Sequence, residues 1–219
     1  MPASEANKLY NTPEEKAVLE ARNGLLQFDE VKKLIAESRS REGFKITAHV
    51  LLRLQYLAIR DIYKCAGAFR DGPVYLTRVI SQPDLHQPGP WEEVPDHVEQ
   101  MCGYVNANFG KSALHLSAFV MWRHNWIHPF FGGNGRTSRA LAYLVLCARL
   151  GYDLPGSPTV PQLIADVPKN RDRYFRALHS ADAADKNGRL DVSMMEELVS
   201  DCLAAQLLSI HNQAGGPKA

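Results

Sequence analysis

The stretch "WIHPFFGGNGRTSRALAYLVL", Trp126 to Leu146, puts one histidine, a Phe-Phe pair, a Gly-Gly-Asn-Gly run and two arginines into a short span, and an apolar helical pattern follows at once. Gly132, Gly133 and Gly135 permit positive φ and close backbone approach. Successive amides in such a turn can make an anion-binding nest, and the free N–H groups of the helix that follows add partial positive charge. Asn134 can donate a side-chain hydrogen bond. Arg136 and Arg139 are spaced to share one face of the first helical turn. Two guanidiniums beside an amide nest suit the phosphate chain of a nucleotide, because arginine binds phosphate through paired hydrogen bonds. His128 stands where the preceding apolar helix ends, beside this cradle, and histidine is the side chain best suited to act as a general base near neutrality. The same residue types also serve as a plain helix–helix connection with solvated charges, and a lone glycine turn does not separate the two.

The elements that position this turn are helical. Pro13 opens a first helix with Thr12 as N-cap and Glu14 and Glu15 near its positive end. Leu19, Leu25, Leu26, Phe28, Val31, Leu34 and Ile35 mark an apolar stripe along it. A second helix starts near Thr47 and buries Val50, Leu51, Leu54, Leu57 and Ile62. Gly and Pro punctuate the next stretch around the β-branched run Val74, Tyr75, Leu76, Thr77, Arg78, Val79 and Ile80, which reads as a short hairpin or extended flap. A third helix ends at Gly110. "SALHLSAFVMWRHNWI" is apolar on most faces and is expected to be the central, most buried helix. The turn follows, then a fifth helix closed near Gly151, another within residues 158–185, and a last one over residues 190–213. The fold class is all-α with a β-flap. Residues 1–13 read as a flexible N-terminal arm, 14–212 as one domain and 213–219 as a flexible tail.

Composition agrees with a single ordinary domain. Of 219 residues, 45% are hydrophobic and 22% charged, enough for one buried core and marginal for two. A net charge of +1 supplies no field for nucleic acid or anionic lipid, so any phosphate chemistry must be local. Cys65, Cys102, Cys147 and Cys202 show no metal-ligand spacing and no disulfide framework. No stretch approaches a membrane span, and no apolar signal core opens the sequence. A reducing, cytoplasmic setting, without nucleic acid or membrane partners, is expected.

"HPFFGGNGRTSR" resembles the signature of the Fic (Fic/Doc) family, which reads His-Pro-Phe, one free residue, Asp or Glu, Gly-Asn-Gly-Arg, two free residues and Arg. Every fixed position matches except the acid, where Gly132 stands. "ITAHVLLRLQYLAI" with "AGAFR" resembles the family's second helix and the approach to its flap, and "ALAYLVLCARLGY" its post-motif helix, so the similarity covers about residues 15–205. The resemblance implies a bundle of seven or eight helices with a short β-hairpin flap. It implies transfer of a nucleoside monophosphate, AMP from ATP, to a Ser, Thr or Tyr hydroxyl of a target protein (AMPylation). His128 would be the base. Gly133, Asn134 and Gly135 would hold the α-phosphate, and Arg136 and Arg139 the β- and γ-phosphates. The flap, Val74 to Ile80, would hold the target segment in extended form.

The motif acid ordinarily binds Mg²⁺, and Gly132 has no ligand to offer. Three expectations follow. Mg²⁺ is held by phosphates and water alone, giving a weak enzyme. A carboxylate from the flap region, Asp71 or Asp84, reaches in. Or the domain uses another phosphate-containing donor, or only binds one while presenting its flap to a partner. Many members of the family are held off by a helix carrying Ser or Thr, three free residues, Glu and then Gly or Asn, whose glutamate pairs with the second arginine. "SRSREG" (Ser38 to Gly43) fits that spacing, "SMMEEL" (Ser193, Glu197) fits less well, and a separate inhibitory protein is a further option.

Overall fold

The structure is a computed structural model, described here for residues 8–40, 42–74 and 87–213. Eight α-helices follow in chain order: α1 (Pro13–Ser40), α2 (Ala48–Ile59), α3 (Val94–Ala107), α4 (Ala113–Ile127), α5 (Asn134–Leu150), α6 (Val160–Asp166), α7 (Pro168–Lys186) and α8 (Ser193–Gln213), with a 3₁₀ turn at Trp91–Glu93 before α3. The all-α expectation holds. The region read as one helix over residues 158–185 is two, because Val167 is extended (φ −91°, ψ 112°) ahead of Pro168, which starts α7 at its N-terminal position.

The helix ends follow local chemistry. Thr12 accepts from the Glu15 N–H at 3.1 Å, Thr47 from Val50 at 3.4 Å and Ser112 from His115 at 3.0 Å. Gly151 closes α5 in the left-handed conformation (φ 80°).

The α4–α5 pair is the most extensive helix contact, and α1, α2, α3 and α8 surround it. Leu116, Ala118, Val120, Met121 and Trp122 of α4 are buried, as are Leu141, Tyr143, Leu144 and Val145 of α5. The turn joining these two helices is therefore fixed at both ends by the core.

The apolar stripe expected on α1 is only half right. Val31, Leu34 and Ile35 are buried, while Leu25 is 71% exposed. In this half of the helix the buried positions are Asn23 and Gln27. Asn23 Nδ2 donates to the Arg60 carbonyl just beyond the end of α2 at 2.7 Å, and Gln27 Nε2 to the Leu54 carbonyl within α2 at 2.9 Å. A buried amide side chain needs hydrogen-bond partners, and the carbonyls of Leu54 and Arg60 supply them across the α1–α2 interface.

The described part of the N-terminal arm is tied down: Lys8 and Tyr63 form an isolated antiparallel bridge, and the Leu9 N–H donates to the Ile62 carbonyl at 2.9 Å. Of the expected flap, Val74 is described, and Tyr75 to Ile80 lie outside the described residues. Among the described residues, all four cysteines are free, and no helix is long and apolar enough to cross a membrane.

Candidate active site

His128 caps the C-terminus of α4 in the left-handed region (φ 48°, ψ 61°), an unusual conformation for a residue with a side chain. Its N–H donates to the His124 carbonyl at 2.9 Å. Arg70 Nε donates to its carbonyl at 2.9 Å. The backbone thus turns sharply at His128 and leads into Pro129 and Phe130. Phe130 is fully buried and stacks on Phe69 with ring centroids 5.7 Å apart, which seats the turn in the core.

Asn134 closes the turn. Its Oδ1 accepts the Phe130 N–H at 3.1 Å and its Nδ2 donates to the Phe130 carbonyl at 2.7 Å. The side chain is 5% exposed, so part of its hydrogen-bonding capacity holds the loop. Gly133 caps α5 at φ 79°, and a Cβ there would meet Ile59 Cγ2 at 2.7 Å. Both its conformation and its packing require glycine. The carbonyl of Gly132 accepts from Gln55 Nε2 at 3.2 Å, and Gln55, fully buried on α2, also accepts the Gly67 N–H. The first amides of α5 have no partner within their own helix and face the turn.

Arg136 and Arg139 lie on the first turns of α5, and both line a cleft of about 530 Å³ between α1, α5 and α6, with Leu25, Phe28, Tyr143 and Pro161 on its walls. Their surroundings differ. Arg136 Nη2 is 3.3 Å from Glu20 Oε1 on α1. Arg139 has no carboxylate within ion-pair distance among the described residues, and burial lowers its pKa from the ordinary arginine value.

Beside Gly132 lies Tyr63. A Cβ on Gly132 would meet only the Tyr63 ring, at 3.8 Å, so the position has room for a side chain. Burial, then a hydrogen bond with Tyr10, raise the Tyr63 phenol to about 12. One turn before His128, His124 is fully buried with neither ring nitrogen hydrogen-bonded. Burial, then the charge of His128, push it down to about 3, so it stays neutral.

The acidic residue that reaches Arg136 is Glu20, in neither stretch singled out in the sequence. Ser38 sits in the last turn of α1, where its hydroxyl donates to the Ile35 carbonyl, roughly 27 Å along the helix from Glu20. Ser193 and Glu197 belong to α8. Asp71 is exposed and has no ion pair among the described residues, and Asp84 lies outside them. Arg70, Gln55 and Glu20 are the site residues that sequence reasoning passed over as functional. An arginine in a Gly-rich segment and a glutamine within an apolar helical stretch were the signals for the first two.

A family model described as the Fic/DOC family matches residues 45–146, which include α4, the turn and most of α5. A Fido domain-containing protein of Dictyostelium discoideum is 29% identical over 132 residues, 60% of this chain and 82% of that protein. Over residues 45–146 the chain is similar to the Fic/DOC family. Solved Fic structures share its fold. A Fic family protein from Desulfovibrio desulfuricans G20 superposes with a TM-score of 0.66 at 22% identity, over 95% of this chain and 57% of that one. A Fic domain-containing signaling protein from Bacteroides thetaiotaomicron gives 0.69 at 20% identity, over 92% and 76%. Fic-1 from C. elegans gives 0.64 at 21% identity, over 88% and 52%. The chain thus spans little more than half the length of two of the solved chains it resembles.

Proposed function

We propose that this Fic domain transfers a nucleoside monophosphate, AMP from ATP, to a hydroxyl side chain of a target protein. One observation carries the reading. A single turn, fixed by the core at both ends, joins His128 at the end of α4 to the amide end of α5 and its two arginines. His128 takes the proton of the incoming Ser, Thr or Tyr hydroxyl. The hydroxyl oxygen bonds to the α-phosphorus as the bond to the pyrophosphate leaving group breaks. The amides of Gly133, Asn134 and Gly135 and the helix end hold the α-phosphate oxygens, where negative charge builds up. Arg136 and Arg139 hold the β- and γ-phosphates, so Arg136 exchanges its Glu20 partner for the donor. The flap, Val74 to Ile80, presents the target segment. Phosphoryl-type transfer is mostly positioning and charge stabilisation, which a rigid turn of this kind supplies.

Mg²⁺ does not fit the residues present. Gly132 brings no carboxylate, and among the described residues no group of three or more His, Cys, Asp or Glu could hold a metal.

A second reading rests on the Glu20–Arg136 pair together with Gly132: a catalytically quiet module that binds a nucleotide or phosphate and presents its flap to a partner. Incubation with labelled ATP and candidate targets separates the two. The enzyme reading expects label transfer that His128→Ala abolishes. Calorimetric ATP binding, weakened in Arg136→Ala and without transfer from any nucleotide donor, would establish the quiet module instead.

A further inference from the structure

Arg70 is 3% exposed, yet no carboxylate lies within ion-pair distance of it among the described residues. A buried cation needs compensation, and here backbone carbonyls supply it. Nε donates to His128 O at 2.9 Å, Nη2 to Gly89 O at 2.8 Å and to Ile127 O at 3.4 Å, and Nη1 to Gly72 O at 3.3 Å. Its own backbone N–H donates to Pro129 O at 2.9 Å. Three of these five acceptors, Ile127, His128 and Pro129, are consecutive at the carbonyl end of α4, where a cation also meets the negative end of the helix dipole. The other two, Gly72 and Gly89, bracket residues 75–86. The neighbouring Phe69 stacks on Phe130 and fixes the direction from which the arginine enters.

We infer that Arg70 is the positioning residue for His128: its guanidinium holds the left-handed turn that carries the base and ties it to the two backbone points flanking the expected target-binding flap. The inference rests on the proposed transfer reaction. The planar fork is essential, because a lysine ammonium cannot reach carbonyls spread in several directions from one nitrogen. No hydrogen bond links Arg70 to α5 among the described residues. It therefore sets the base and leaves the phosphate cradle alone.

The test compares Arg70→Met and Arg70→Lys with the full wild-type chain. Three quantities are measured: ATP binding by calorimetry, the label-transfer rate as a function of pH, and the His128 imidazole resonance by NMR without nucleotide. In Arg70→Met, ATP affinity should stay within about twofold while transfer falls by between about tenfold and a hundredfold, as expected for a misplaced reacting group. The His128 resonance should shift or split. Arg70→Lys should regain part of the rate and part of the wild-type resonance. An unchanged rate and an unchanged His128 resonance would overturn the inference, as would a loss of ATP binding in proportion to the rate. If Arg70→Met does not fold, Arg70→Lys decides on the same two readouts. A wild-type chain without transfer would defeat the proposed reaction, and the His128 resonance would still decide the role of Arg70.

Discussion

At the scale of single residues, two adjacent glycines have opposite tolerance. Gly133 has φ 79°, and a Cβ added there would lie 2.7 Å from Ile59 Cγ2, so Gly133→Ala meets both strain and overlap. Positive φ and overpacking together predict a loss of about 2–4 kcal/mol, read by urea denaturation. Gly132 meets nothing closer than 3.8 Å, so Gly132→Asp should keep the wild-type melting curve. It restores a carboxylate at the family's acid position. A metal bridging phosphates contributes several kcal/mol of charge stabilisation, so label transfer with Mg²⁺ should rise by about tenfold or more and disappear with a chelator. A Gly132→Asp protein that folds and transfers at the wild-type rate would show that the missing acid does not limit this domain.

At the scale of elements, α1 and α5 meet through Glu20 and Arg136. The pair is partly exposed, and such pairs contribute about 0–1 kcal/mol. Glu20→Gln should therefore tighten ATP binding by at most about fivefold, measured by calorimetry, with the fold unchanged. A weakened affinity would mean that Glu20 helps to hold the donor rather than competing with it. This pairing could not be read from sequence, because α1 offered several glutamates and nothing local says which one faces α5. The turn itself was legible. His128 to Arg139 lie within one short stretch, and a helix end, glycines and arginines at that spacing constrain one another without help from distant residues. The exposed Leu25 shows the limit of periodicity: an apolar pattern gives a face, and the carbonyls that the neighbouring segment of the chain presents decide whether Asn23 and Gln27 take it.

For the whole molecule, the buried α4–α5 centre sets how the fold responds to acid. His124 has a folded pKa of about 3 against an ordinary 6.5. The unfolded chain takes up a proton below about pH 6.5 and the folded chain does not until near 3, so stability falls as pH drops through that window. The slope contributed by this one group is at most about 1.4 kcal/mol per pH unit. Thermal melts of the wild type and His124→Leu between pH 7 and pH 4 should show a shallower slope in the variant. Equal slopes would mean that His124 gains a proton or a partner in the folded state.

Sequence alone determined the helical class, the position of the turn, the residues proposed as base and phosphate cradle, and the glycine at the acid position, because each rests on residues close together along the chain. Only the tertiary structure decided what holds the turn. Arg70 reaches His128 across 58 residues and Gln55 reaches Gly132 across 77. These contacts exist because the end of α4 and the turn after it leave carbonyls that must be satisfied. Which buried side chain satisfies them depends on how the helices pack, and local pattern does not carry that information.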